Sequence, residues 1–219
     1  MPKLVDHVER RADIIEALFA LVRRDGIHAV SVRTVAAEAG MSPSALRHYF
    51  QTQDEMFAVA LQSVVDRVRG RLEPLLPLLS GRAGALTVLE QMLPLDATRR
   101  GETQVYLAFA TRAHPDRSLR RIRDLAEAES RMAIHYAVRL LAEGGALGAG
   151  RDAADEEPRL YAVVDGLALH GALWPRRHPS SALLAVLHAH VDEMATDLRG
   201  GASGSAPSVP TAASARANR

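Results

Sequence analysis

The chain has 219 residues, no cysteine and a formal net charge of +1. A chain of that length buries roughly 70% of the surface its unfolded form exposes, so it needs no covalent or metal staple. The missing cysteine excludes disulfides, thiolate zinc sites, iron–sulfur clusters and a cysteine nucleophile, and the balanced charge leaves any attraction to nucleic acid to local arrangement.

The 38 Ala and 28 Leu, against 4% aromatic residues, favour helix over strand. Within residues 10–24, Ile14, Ile15, Leu18, Leu21 and Val22 recur at helical spacing, and Asp25-Gly26 stops the run. Ser31 is a good N-cap for a short helix over 32–39, which Gly40 ends. Ser42-Pro43 opens another over 43–49, with Pro in the first turn where its missing N–H costs little. A longer helix is predicted over 53–72, before Pro74 and Pro77. Helices follow over 83–93, 102–113 and 116–142, the last closed by Gly144-Gly145. Two more cover 156–173, before Pro175, and 180–198, before Gly200. No stretch alternates with the period of a strand, so the fold class is all-α with about nine helices.

Residues 200–219 are almost all Gly, Ser, Ala, Pro and Thr and cannot offset the entropy of ordering, which predicts a disordered tail. No apolar run approaches the ~18 residues of a membrane span. Asp6, Glu9, Arg10, Arg11, Asp13 and Glu16 break any signal-peptide core. The expected location is cytoplasmic, without membrane contact.

The informative segment is 31–50, SVRTVAAEAGMSPSALRHYF. Two short helices joined by a three-residue turn are the sequence form of a helix-turn-helix. Ala36 is small where the helices cross, Gly40 supplies the left-handed turn, and Met41 plugs it. Val35, Leu46 and Phe50 are expected to fill the space against Ile14 and Leu18. That leaves Ser42, Pro43, Ser44, Arg47, His48 and Tyr49 on a polar, acid-free face of the second helix.

These residues resemble the TetR family of bacterial transcriptional regulators. The likeness begins at Arg11, Ile14, Glu16-Ala17 and Leu21 and continues through Gly26, Ser31-Val32-Arg33, Val35-Ala36, Glu38-Ala39-Gly40, Ser42, Leu46 and His48-Tyr49-Phe50. It extends to Glu55 and Phe57. The segment Val164-Asp165-Gly166-Leu167-Ala168-Leu169-His170 is similar to the eighth helix of the subgroup that includes the choline-responsive repressor. The resemblance implies a homodimer, with a DNA-binding domain over 8–68 and a helical effector-binding and dimerisation domain over 69–199. Ser31, Arg33, Ser42, Pro43, Ser44, Arg47, His48 and Tyr49 are the expected DNA-binding residues, Tyr49 toward phosphate. Two departures stand out: Arg47 where the family usually has Tyr, and Gln53 where it has a phosphate-touching Lys.

Over residues 1–53, seven bases face six acids, so only local geometry can supply attraction to DNA. An effector pocket is expected from Leu61, Val64 and Val65, from Met92, Tyr106 and Phe109, and from His135, Tyr136, Arg139 and Leu169. A dimer interface is expected from Leu160, Val163, Val164 and Leu167 with Leu183, Val186, Leu187, Val191 and Met194. These sets read as too wide to bury within one protomer.

His188 and His190 do not share a helix face, and His114, His135 and His178 lack carboxylate partners at helical spacing, so no metal or cofactor is expected. There is no phosphate-binding glycine loop and no nucleophile elbow, which argues against an enzyme. The reading is a ligand-responsive repressor. Its partners are a palindromic double-stranded operator, a small-molecule effector and a second copy of the chain. The alternative is a helical dimer acting through protein partners without DNA; a helical enzyme is third.

Overall fold

A computed structural model describes residues 2–111 and 117–196. Among the described residues the chain is all-helical, with nine α-helices and no strand. The predicted tail over 200–219, and the end of the second predicted domain, lie outside the described residues.

The first four helices are α1 (Pro2–Asp25), α2 (Val32–Glu38), α3 (Pro43–Arg47) and α4 (Gln53–Leu72). Their apolar faces converge on one core. Ile14, Leu18, Val35, Ala36, Leu46 and Phe50 have no exposed surface there. The core is closed from the other side by Val105, Phe109 and Ala126, which belong to later helices. Hydrophobic burial therefore crosses the boundary that the sequence places near residue 68.

The remaining helices are α5 (Gly81–Glu90), α6 (Ala97–Ala110), α7 (Arg117–Glu143), α8 (Ala153–Leu173) and α9 (Ser180–Met194). They enclose a second core around Leu89, Leu93, Val138, Leu141, Leu160 and Leu187. Two of these helices start a turn earlier than predicted, for a local reason. The Asp96 carboxylate accepts from the Arg99 N–H at 2.8 Å and starts α6 at Ala97. Asp152 accepts from the Ala154 N–H at 2.8 Å and starts α8 at Ala153. Each satisfies a first-turn donor that would otherwise lack a partner.

Candidate nucleic-acid interface and ligand cavity

Local hydrogen bonding fixes the α2–α3 unit. Ser31 caps α2: its Oγ accepts from the Thr34 N–H at 3.1 Å, and its own N–H donates to Thr34 Oγ1 at 2.9 Å. At the other end Gly40 takes φ 65. The Met41 N–H then donates to the Ala36 carbonyl at 2.9 Å and the Gly40 N–H to Ala37 at 3.2 Å. This is the paired closure of a helix that a left-handed residue permits. Ser42 caps α3, its Oγ accepting from the Ala45 N–H at 3.1 Å.

What α3 exposes follows from that geometry. Leu46 points into the core, and Ser42, Pro43, Ser44, Arg47 and His48 lie on the outside. Arg33 is exposed on α2. Other bases nearby are engaged within the fold. Arg24 donates to both oxygens of Glu38, at 3.0 and 2.9 Å, and to Asp25 at 3.1 Å. Arg11 donates to the Tyr49 carbonyl at 2.8 Å and to Glu55 at 3.3 Å, and lies 4.3 Å over the Phe50 ring. Arg33 and Arg47 make no ion pair with the described residues. The Arg24 contact holds the Glu38 carboxyl below its ordinary range, so this acid carries its charge already neutralised.

Tyr49 is half-buried, its ring 4.9 Å from His7, so it stands at the edge of the face. Gln53, in place of the usual Lys, donates through Nε2 to the Val30 carbonyl at 2.9 Å. It therefore ties the start of α4 to the turn that precedes α2.

A cavity of about 480 Å³ lies between α4, α5, α6, α7 and α8. The inner stripe of α4 supplies Leu61, Val64, Val65, Val68 and Leu72, and α7 supplies Ala126, Met132, Ala133 and Tyr136. Met92 follows α5, Thr103 and Tyr106 come from α6, and Val164, Asp165 and Ala168 from α8. Glu102 lies at the wall with 3% of its surface exposed, held by Arg71. The volume and apolar lining are those of a small-molecule site.

Both parts of the chain, the α2–α3 unit with its neighbours and the helices that follow, match known protein families. Residues 14–60 match the family described as bacterial regulatory proteins, tetR family, and residues 81–196 match the BetI-type transcriptional repressor C-terminal family. The HTH-type transcriptional regulator PksA of Bacillus subtilis is 34% identical over 205 residues, covering 90% of this chain and 95% of that protein. The chain belongs to the TetR family of transcriptional regulators. A regulator from Rhodococcus sp. Rha1 has 32% identity and a TM-score of 0.69, covering 84% of this chain and 95% of that one. A regulator from Saccharomonospora viridis, solved in complex with choline, shares the fold. Its TM-score is 0.73 at 22% identity, covering 84% of this chain and 96% of that one.

In this TetR-family chain the cavity takes six of the ten residues expected for it: Leu61, Val64, Val65, Met92, Tyr106 and Tyr136. Four lie elsewhere. Phe109 is fully buried in the N-terminal core, because the end of α6 packs against α1 and α4. His135 is exposed on α7 and bonds Glu157 at 2.7 Å. Arg139 is exposed beside Glu143, 5.1 Å over the Tyr136 ring. Leu169 faces outward on α8. The residues that sequence reasoning missed continue patterns already visible. Val68 and Leu72 extend the i, i+3, i+4 stripe of Leu61, Val64 and Val65, and Asp165 follows Val164 on α8.

The expected interface set needs a similar correction. Leu160, Val164, Leu167, Leu183, Leu187, Val191 and Met194 are buried within their own protomer, and Val163 is partly buried there. Both faces fit inside one chain because α9 seats directly on α5 and α8. A Cβ at Gly171 would lie 2.5 Å from Leu183 Cδ1 and 2.7 Å from Pro94 Cγ, so the missing side chain serves packing within the protomer. Of the nine residues, Val186 alone is exposed, at 51%. Outward on α8 lie Ala162, Leu169, His170 and Leu173, with Gly166 open to space, and on α9 Ala185, Val186 and Ala189. Among the described residues, no helix is long and apolar enough to cross a membrane, and no group of three side chains could hold a metal.

Proposed function

We propose that this protein is a homodimeric repressor that binds a palindromic operator through α2 and α3. A small molecule filling the cavity releases it. The observation that carries the reading is the state of the bases in the N-terminal unit. Arg11 and Arg24 are spent on internal contacts, whereas Arg33 and Arg47 stand uncommitted beside the exposed Ser42, Pro43, Ser44 and His48. Phosphate contacts from such groups set position, and Arg47 has the reach to read a guanine edge. The unit over 8–68 would act as the reader, and 69–199 as the effector and dimerisation domain.

A route for release runs through α4. Arg67 pairs with Glu16 of α1, lies 4.1 Å over Phe19, and comes within 3.9 Å of Glu102 at the cavity wall. A ligand that shifts α4 moves this arginine and, with it, α1. The effector must bind more tightly to the conformer whose two α3 helices do not match the half-sites. Selection of bound fragments from a random DNA pool, followed by anisotropy titration, tests the reading. A two-fold-symmetric consensus is expected. Failure to retain any symmetric DNA at low salt, with the dimer intact, would overturn it.

A further inference from the structure

The charge left on the cavity wall, after its ion pairs are matched, defines the ligand chemistry. Two bases reach the wall, Arg69 and Arg99. Glu129 holds Arg69 at 2.7 Å. Asp96 holds Arg99 at 2.7 Å, and the Glu90 carbonyl accepts from it at 3.0 Å. Of the wall acids, Glu129 and Glu102 are thus paired, the latter with Arg71. Glu73 and Asp165 remain, and neither has a base within ion-pair distance among the described residues.

Asp165 is the better placed of the two. Its nearest guanidinium, Arg131, bonds Glu127 at 2.6 Å and lies 5.1 Å over the Tyr161 ring. Those two acids and one base leave one negative charge over. Tyr106 stands on the same wall, its hydroxyl turned to Tyr161 and Ser130. Arg139 and Arg131 cover the Tyr136 and Tyr161 rings, but no guanidinium of the described residues covers Tyr106. Asp165 lines the cavity but remains exposed on one side; partial desolvation there holds its carboxyl above its ordinary range, against the pull of Arg131. A cation beside it would relieve that cost and find the Tyr106 ring on the same wall without a guanidinium over it.

We infer that the cavity takes a lipophilic cation, its apolar body against Leu61, Val65, Val68, Met92 and Ala133 and its ammonium head between Asp165 and the Tyr106 ring. The inference rests on reading the cavity as the effector site. An anionic amphiphile would meet two uncommitted carboxylates and no uncommitted base. A headgroup alone, such as choline, would leave most of the 480 Å³ empty.

Calorimetry on the full chain, without DNA, tests this with matched probes below their micellar concentrations: dodecyltrimethylammonium, dodecanoate, dodecanol and choline. The cation should bind roughly tenfold or more tightly than dodecanoate, as one charge contact to a partly solvated carboxylate allows. Choline should bind far more weakly than the long-chain cation. Asp165→Asn should erase the preference for the cation over dodecanol. Dodecanol binding by that variant, with an unchanged far-ultraviolet spectrum, shows that the cavity is intact. Dodecanoate binding as tightly as the cation, choline binding as tightly as its long-chain analogue, or a preference that survives Asp165→Asn would overturn the proposal. The repressor reading stands or falls separately, on operator binding by the ligand-free protein.

Discussion

The Arg71 guanidinium grips the Glu102 carboxylate through two hydrogen bonds, Nη1 to Oε1 at 3.0 Å and Nη2 to Oε2 at 2.8 Å. Its third nitrogen, Nε, donates to Gln91 Oε1 at 3.1 Å. One side chain of α4 therefore binds α6 and the residue that ends α5, at the cavity wall. Parallel bonds to a carboxylate fix angle as well as distance. The register of α4 against α6 is set here, and the pair cannot slide without leaving a buried acid unpaired.

Glu102→Gln keeps the shape but replaces a charge-assisted pair with a neutral one. It should lower stability by about 1.5–3 kcal/mol, the range for hydrogen bonds to charged groups. Arg71 is partly exposed, which favours the lower end. Urea unfolding of the single variants and of Glu102→Gln with Arg71→Gln would give the coupling directly. Additive losses would mean the two residues act independently.

Arg11 gives a different test. It binds the carbonyl of Tyr49, just past α3, so it braces the end of the reading helix against α1. Arg11→Ala should weaken operator binding by loosening that brace. A brace neutralises no phosphate, so the slope of log K against log salt should stay as in the parent chain. A slope that becomes shallower by about one unit per subunit would make Arg11 a phosphate contact instead.

The N-terminal fold was legible because its determinants are local. Ser31 and Ser42 as caps, Gly40 in the turn, and the burial of Leu46 and Phe50 all follow from neighbours a few residues away. The cavity was legible only in part. The α4 stripe announces a buried face, but not whether that face meets other side chains or empty space. Phe109 and Tyr106 are three apart on α6, yet Phe109 lies wholly inside the N-terminal core while Tyr106, at the edge of that core, also lines the cavity. The α8 and α9 leucines are covered within the protomer, which their spacing did not reveal, for a related reason. Periodicity gives the width of an apolar face, and only the tertiary arrangement decides which neighbour covers it.

Arg47→Ala should reduce operator affinity and relax base preference at one half-site position. Its side chain is exposed on α3, without an ion pair among the described residues. A bidentate arginine–guanine contact is worth about 1–3 kcal/mol of discrimination. Binding selections run in parallel on the parent and variant would read this. Recovery of one consensus at one affinity would remove Arg47 from base reading. Tyr49→Phe should weaken all sequences alike, since a phosphate contact carries no sequence information.

Salt dependence follows from the count of uncommitted bases. Arg33 and Arg47 face outward on α2 and α3, and Arg23 is exposed at the end of α1 without an ion pair among the described residues, whereas Arg11 and Arg24 pair with internal acids and Arg11 also donates to a carbonyl. Few condensed counterions can be released per subunit. The slope of log K against log salt should be shallow, on the order of −4 to −6 per dimer. Deleting residues 200–219, which contribute only Arg216 and Arg219, should leave it unchanged. A slope near −10, as extensive phosphate contact gives, would place further bases at the interface.

The last prediction concerns the second copy of the chain. Leu173 and Val186 are 50% and 51% exposed, while Leu187, the next residue on α9, is fully buried. Ala162 and Gly166 on α8 and Ala185 and Ala189 on α9 add small residues to the outward sides of the same two helices, which lets two helix surfaces approach closely. Arginine at both exposed positions, Leu173→Arg with Val186→Arg, should leave each protomer folded and abolish association. Leu187→Arg should instead unfold the protomer, because it drives a charge into the core around Leu160 and Leu183. Sedimentation velocity with circular dichroism separates the two results. The double variant should sediment as a monomer with a parental spectrum, and should lose operator affinity because a single half-site remains. An intact dimer in the double variant would move the interface off α8 and α9. A folded Leu187→Arg monomer would restore that residue to the interface.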